Sequence, residues 1–182
     1  MLELYDYELS GNCYKIRLIL SFLNLDYKSK KIEFYPSEEH KSEVFLQINP
    51  LGQLPVISDG GLILRDAQAI LVYLASKYDK ANKWYNVNDP EMLGSVSQWL
   101  AFGDSITGSA SAARLHDTLF YNNFNIDKCR ETAHLQFRIL DEHLFFQEEL
   151  GCNWICKGEC PSIADIACFP YVALSEEGGI SR

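Results

Sequence analysis

The amino-acid sequence predicts an α/β domain followed by an all-helical domain. Strand-like and helix-like apolar patterns alternate through residues 1–79, whereas the pattern beyond residue 90 is helical throughout. Between these regions, residues 79–90 have no apolar periodicity and contain Asn, Asp and Pro, which is typical of a linker. We therefore predict one domain at residues 1–79, a linker at residues 80–88 and a second domain at residues 89–182.

The first domain begins with a strand, a loop and a helix. Residues 2–7 alternate briefly between apolar and polar side chains, and Ser10-Gly11-Asn12 then breaks the strand. Apolar residues at helical spacing follow at positions 16–23. Residues 27–34 predict a second strand with solvated lysines, and residues 38–47 predict a short helix that ends before Asn49-Pro50. This gives a βαβ unit and a following helix.

A hairpin and a third helix complete this domain. Residues 53–58 and 62–64 predict two short strands, and Asp59-Gly60-Gly61 predicts the turn between them. A helix from Asp66 to about residue 78 follows, with apolar residues on one side. The order is βαβ and then ββα, so we expect a mixed four-stranded sheet.

The second domain is predicted to be all α. One long helix covers residues 91 to about 119 and is bent near Gly103 or Gly108, and another covers residues 127–150. Ser162 and Asp165 resemble a capping box that opens a further apolar helix, although such a box prefers Glu or Gln at its last position.

Composition and charge narrow the function classes. The chain has 182 residues, of which 47% are hydrophobic and 23% charged, so it should fold. A net charge of -9 with no basic run argues against nucleic acid or an anionic membrane surface as a partner. No apolar run reaches the roughly 18 residues of a membrane span, and the acidic start does not match a signal peptide. A cytoplasmic location is expected.

The six cysteines predict reduced thiols, since no secretory signal accompanies them. Cys152, Cys156 and Cys160 lack the close pairs that are typical of zinc sites, and the glycines and proline around them oppose a helix. We therefore expect no metal site.

Pro55 gives the first indication of a binding site. A proline cannot donate to a strand ladder, so its position between Leu54 and Val56 favours an exposed edge. If the Leu54-Pro55 bond is cis, the N–H and C=O of Val56 turn outward and can pair with an extended peptide. The alternative is a trans proline at an ordinary strand start.

The runs NPLGQLPVI and LRDAQAILVYLASKY together resemble the cytosolic glutathione transferase family. The resemblance covers residues 2–78 closely and the helical half more loosely, through SIADIACFPYV. It implies a thioredoxin-like domain with glutathione as co-substrate, a cis Pro55 beside Leu54, and backbone groups of Val56 holding the cysteinyl part of glutathione. It also implies that the chain lacks the last helices of the family.

Further glutathione contacts follow from the same resemblance. Asp66-Ala67 occupies the place of an acid followed by Ser, so Asp66 and the helix N-terminus would bind the γ-glutamyl end. Gln53 and His40 match positions that reach the glycyl carboxylate. The alternatives are a plain N-cap for Asp66 and an ordinary surface residue for His40.

The loop at Ser10 would activate the glutathione sulfur. Ser10 followed two places later by Asn12 resembles bacterial classes of the family, in a loop similar to the theta, zeta and nu classes. Ser10 would donate its O–H to the thiolate and Asn12 an amide N–H. The alternative is that both are loop and cap residues. Tyr5 and Tyr7 offer other phenols, and Cys13 is either a reactive thiol at a helix start or a buried, inert one.

The substrate side is expected on the first long helix of the second domain. Trp99 and Phe102 are candidate substrate contacts, although aromatics at helical spacing are usually core. Arg114 is a candidate cation for an anionic substrate, with a surface salt bridge as the alternative.

The resemblance leads to three functional hypotheses. The first is a homodimeric detoxification enzyme that transfers the glutathione thiolate to a small electrophile. The second is a glutathione-dependent disulfide reductase, in which the same thiolate attacks a small disulfide. The third is a non-catalytic binding or regulatory protein of the same fold.

Overall fold

The computed structural model describes residues 1–120 and 123–181. The chain divides into two compact units, Met1–Tyr78 and Asp79–Arg182, which are described separately below. The linker at residues 80–88 stays a prediction.

The first unit contains the predicted mixed four-stranded sheet, which is confirmed. The strand order is β2-β1-β3-β4, with β1 parallel to β2 and antiparallel to β3, and β3 antiparallel to β4. The strands are β1 (Leu2–Asp6), β2 (Tyr27–Lys31), β3 (Val56–Asp59) and β4 (Leu62–Arg65). The helices are α1 (Gly11–Phe22), α2 (Glu43–Ile48) and α3 (Ala67–Tyr78).

Helices α1 and α3 pack against each other and supply much of the core of this unit. Their inward side chains are fully buried, and Leu4 on β1 is fully buried with them; these helical residues are Ile16, Ile19, Leu20, Ile70, Leu71 and Leu74. Fully burying an aliphatic side chain stabilises a fold by about 1.5–3 kcal/mol. The βαβ and ββα halves are therefore held together by an apolar layer.

The predicted helix at residues 38–47 is divided in two. Glu38 has a left-handed φ of 53°, a 3₁₀ turn covers Glu39–Lys41, and Ser42 caps α2 by accepting a hydrogen bond from the Phe45 N–H at 3.2 Å. Because an N-cap residue has extended rather than helical backbone angles, α2 starts afresh at residue 43. The segment therefore turns at a point where the sequence pattern suggested continuity.

A polar cluster joins the β3–β4 turn to the end of α3. The Asp59 carboxylate accepts hydrogen bonds from Tyr73 Oη at 2.9 Å, Lys77 Nζ at 2.7 Å and Tyr78 Oη at 2.6 Å. These bonds, with Lys77 first, lower the pKa of Asp59 from 3.8 to about 2. The hairpin is thereby tied to the helix by a charged group as well as by apolar packing.

The second unit is helical, as predicted. Its first helix is continuous but contains a π-helical segment at Thr107–Ser111. The capping box of Ser162 and Asp165 is confirmed, with both reciprocal hydrogen bonds present. The helices are α4 (Pro90–Ile106), α5 (Ala112–Leu119), α6 (Ile126–Glu149) and α7 (Ile163–Ala173), and a 3₁₀ turn follows at Ser175–Gly178.

Helices α4 and α7 pack against each other along their length in this unit. A side chain at Gly103 would place its Cβ 3.1 Å from the carbonyl oxygen of Ala167, so the two backbones approach closely there. Across residues 1–120 and 123–181, we find no helix with both the length and the apolar character that crossing a bilayer requires.

Candidate functional site

The sheet register gathers three of the predicted segments at one edge. Val56, the first residue of β3, lies opposite Tyr5 near the end of β1 and opposite Arg65 at the end of β4. The Ser10 loop follows β1, the Leu54-Pro55 turn precedes β3, and Asp66 follows β4. Because these three connections leave the same edge of the sheet, the residues predicted to bind glutathione lie near one another.

Ser10 is the N-cap of α1. Its Oγ accepts a hydrogen bond from the Cys13 N–H at 3.2 Å, and its own N–H donates to the Tyr7 carbonyl at 3.0 Å. Accepting the cap bond uses a lone pair, so the hydroxyl proton remains available for donation to a ligand. Asn12, half-buried, lies in the first turn of the same helix. The Ser10 hydroxyl can therefore cap α1 and donate a hydrogen bond to a thiolate at the same time.

Cys13 was expected to be either a reactive thiol at a helix start or a buried one, and in the structure it is buried. It has no exposed surface, and burial raises its pKa to about 12, against the smaller opposing effects of hydrogen bonds from Ser10 and the Tyr7 backbone. Its sulfur accepts the Tyr7 N–H at 3.4 Å. A thiol that stays protonated and covered is a poor nucleophile, so the positive end of α1 is left for a ligand.

The Leu54-Pro55 bond is cis, as the resemblance implies. Val56 lies between two strands, since it is aligned with Tyr5 of β1 and with Arg65 of β4. Its N–H and C=O therefore face a neighbouring strand of the sheet. Leu54 lies outside the strand, and its N–H and C=O make no hydrogen bond within residues 1–120 and 123–181. The backbone that is available to an extended peptide is that of Leu54.

Asp66 caps α3 and holds an unusual backbone angle. Its φ is 76°, and its carboxylate accepts a hydrogen bond from the Ala69 N–H at 2.9 Å. Asp66 is exposed and Ala67 is buried. The first N–H groups of α3 have no acceptor within the helix, so this end can receive a carboxylate while the Asp66 side chain keeps its capping bond.

Gly52, which directly precedes Gln53, lies against the backbone of His40. Gly52 has a φ of 58°, and a Cβ there would lie 3.0 Å from the His40 carbonyl oxygen. His40 is only 2% exposed, so the surface-residue alternative does not hold. Burial, and secondarily Lys41, lower the pKa of His40. Gln53 is exposed directly after this close approach.

The three candidates in the second unit occupy two environments. Trp99 is buried, and its ring lies 5.0 Å from that of Phe102 and 4.3 Å from that of His143. Arg114 is also buried, and its Nε donates to Glu177 at 2.5 Å. Within this unit, Trp99 is therefore part of the core and Arg114 forms a salt bridge. A role of Trp99, Phe102 and Arg114 in substrate binding stays a prediction.

Sequence reasoning missed two residues of this edge. Phe34 stacks on the His40 ring, and Gly52 carries the close approach described above. The signal for Gly52 was its place in Asn49-Pro50-Leu51-Gly52, whereas nothing local marks Phe34. None of the six cysteines, all of which lie in the described residues, is in a disulfide. The same residues contain no group of three or more His, Cys, Asp or Glu that could hold a metal ion.

Comparison with known proteins relates this architecture to the glutathione S-transferases. A model of the glutathione S-transferase N-terminal domain matches residues 4–83. Glutathione S-transferase theta-1 of Rattus norvegicus is 35% identical over 102 residues, which are 56% of this chain and 42% of the rat protein. Human glutathione S-transferase theta-2 is 43% identical over 72 residues, 39% of this chain and 29% of the human protein. These matches span less than half of either curated relative.

The likeness to solved structures extends over both units. A glutathione transferase homolog from Lodderomyces elongisporus, solved with two GSH per subunit, is 25% identical with a TM-score of 0.86. The match covers 99% of this chain and 86% of that one. Residues 4–83 therefore match a glutathione S-transferase N-terminal domain, and both units share their fold with glutathione transferases of known structure.

Proposed function

We propose that the first unit binds glutathione at the sheet edge described above and activates its thiol for transfer to a small electrophile. The observation that carries the proposal is the convergence of the Ser10 loop, the Leu54-Pro55 turn and Asp66 at that edge. Each of the three offers a different kind of group, and together they match the parts of a γ-glutamyl tripeptide.

Binding would run along the edge in an extended conformation. The cysteinyl backbone pairs with the N–H and C=O of Leu54, which have no partner within the described residues. The γ-glutamyl carboxylate lies at the N-terminus of α3 and its ammonium near the exposed Asp66 carboxylate. The glycyl carboxylate faces His40 and Gln53.

Activation would depend on Ser10. Its hydroxyl donates to the sulfur and stabilises the thiolate, and the N-terminus of α1 adds a favourable field. Asn12 supplies a further N–H donor. The thiolate then attacks the electrophilic carbon, a C–S bond forms, and the leaving group departs with its electron pair. Proximity and thiolate stabilisation account for the rate, with no general base required once the thiol is ionised.

A second candidate reaction uses the same thiolate on a disulfide. Attack on one sulfur forms a mixed disulfide with glutathione and releases the other sulfur as a thiolate. The pairing of Ser10 with Asn12 favours this alternative, whereas Ala67 in place of a hydroxyl residue favours a non-catalytic binding protein. A homodimer and a cytoplasmic location are parts of the proposal that rest on the resemblance to glutathione transferases.

Calorimetric titration of glutathione, followed by turnover assays, tests the proposal. We expect binding by the parent protein, weaker binding by Asp66→Ala, and unchanged binding by Asp89→Ala, which removes a comparable Asp cap from α4. Turnover of an activated aryl chloride supports transfer, and turnover of a small dialkyl disulfide supports the reductase. Binding without either turnover supports the non-catalytic alternative. Failure of the parent protein to bind glutathione refutes the proposal.

A further inference from the structure

We propose that Phe34 is a positioning residue for the glycyl end of bound glutathione, because its ring holds the His40 imidazole in place. This inference rests on the proposed function, since it concerns the same site.

The two rings are stacked face to face. Their centroids lie 4.0 Å apart and their planes differ by 14°. His40 is 2% exposed, and its Nδ1 is buried without a hydrogen-bond partner in the part of the chain that the structure describes. An imidazole whose buried nitrogen lacks a partner is held by packing rather than by a hydrogen bond. Phe34 therefore sets the plane of the ring.

The backbone around the two residues explains why they meet. The Glu33 N–H donates to Glu39 Oε2 at 2.8 Å, and the Glu39 N–H donates to the Glu33 carbonyl at 2.9 Å. Ser37 Oγ donates to the same carbonyl at 3.2 Å. This reciprocal pair closes the loop between residues 33 and 39. Phe34 and His40, which follow its two ends, are thereby placed side by side.

Both rings are also anchored from outside the pair. Phe34 lies 5.4 Å from the ring of Tyr7, whose carbonyl accepts the Ser10 N–H, so the stack is continuous with the proposed activating loop. The backbone of His40 is held by its close approach to Gly52. Loss of the Phe34 ring would therefore free the imidazole while leaving its backbone in position.

The stack also suits the chemistry of a carboxylate ligand. Because Nδ1 is buried, Nε2 is the ring nitrogen that the proposal assigns to the ligand. Burial lowers the pKa of His40 in the free protein, so the ring starts as a neutral donor. When a carboxylate binds and favours the imidazolium, the π face of Phe34 stabilises the added charge. A leucine of similar bulk offers no such face.

The test compares glutathione with γ-glutamylcysteine, which lacks the glycyl residue, by calorimetry on the full chain. For Phe34→Leu we expect glutathione affinity to fall about 2- to 10-fold, from the usual strength of aromatic pairs, with unchanged affinity for γ-glutamylcysteine. His40→Ala should lose the same discrimination, and Phe34→Tyr, which keeps a ring, should retain it.

The outcomes separate the possible explanations. An equal loss of affinity for both peptides in Phe34→Leu means that Phe34 acts only on folding and overturns the inference. An unchanged affinity for both also overturns it. A second readout is the His40 imidazole resonance in the free protein, which must move in Phe34→Leu if the rings are stacked. If the parent protein binds neither peptide, the proposed function fails first, and the inference fails with it.

Discussion

Replacing Ser10 with alanine is expected to raise the thiol pKa of glutathione bound at the start of α1. The change removes a hydroxyl donor and leaves the sulfur without its closest proposed partner. A hydrogen bond to a charged group contributes about 1.5–3 kcal/mol, and one pKa unit corresponds to about 1.36 kcal/mol. The expected increase in the pKa of the bound thiol is therefore about one to two units.

The same substitution removes the N-cap of α1, and this effect must be separated from the first. Loss of the bond from the Cys13 N–H to Ser10 costs about 1 kcal/mol of stability. Ser42→Ala is the matched control, because Ser42 caps α2 with a bond of the same 3.2 Å length. It should lower the free energy of unfolding similarly without moving the thiol pKa. Ser10→Thr, which keeps the hydroxyl, should preserve both properties.

Thiolate absorbance of bound glutathione, followed across pH, is the assay. Cys13 does not interfere, because burial raises its pKa to about 12. If Ser10→Ala binds glutathione with an unchanged thiol pKa, the role of Ser10 as thiolate donor is refuted. If Ser42→Ala raises the thiol pKa of bound glutathione as much as Ser10→Ala does, the shift reflects a general loss of stability and the role of Ser10 is refuted as well.

Three further results are expected from other parts of the first unit. The pKa of the Asp59 carboxyl is lowered from 3.8 to about 2 in the folded protein, so its stabilising contribution is present above pH 3.8 and is lost as the pH falls towards 2. Asp59→Asn should therefore lower the free energy of unfolding by about 1 kcal/mol at neutral pH. Chemical denaturation of this variant should also lack the acid dependence of the parent protein. Gly60→Ala should lower the free energy of unfolding by about 1 kcal/mol, because Gly60 has a φ of 59°. Gly52→Ala should lower it further, since the new Cβ would lie 3.0 Å from a carbonyl oxygen. Equal denaturation midpoints for the two variants would contradict this expectation. A thiol reagent should leave buried Cys13 unmodified in the native protein while reacting with the partly exposed Cys160, and mass spectrometry showing equal labelling would count against the burial argument.

The order of strands and helices could be read from the sequence because each element carries its own periodicity. The alternation at residues 2–7, the turn at Asp59-Gly60-Gly61 and the box at Ser162 are local signals, and the structure contains the corresponding elements. The division of residues 38–47 was missed, because it depends on a left-handed residue and a cap in the middle of an apolar pattern. Local helix propensities do not determine where such an interruption occurs.

The site was harder to predict wherever a residue's role depends on a distant partner. The sequence alone suggested that the Val56 backbone is available for a ligand, whereas the sheet register places a strand on either side of it. From the sequence alone, His40 could be exposed or buried, and its stacking on Phe34 depends on the closure of the loop between residues 33 and 39. Arg114 pairs with Glu177, which lies 63 positions further along the chain. Only tertiary structure supplies such partners.

The π-helical segment at Thr107–Ser111 also changes how length variation would act on the second unit. Each residue of an α-helix advances the chain by about 100° around its axis, and a π turn holds one residue more than an α turn. Deleting one residue here, for example Gly108, would convert the segment to ordinary helix without rotating α5, because the remaining residues complete an α turn. Arg114 would then keep its partner Glu177. The segment would thus absorb a change in length by one residue without altering which face of α5 is inward.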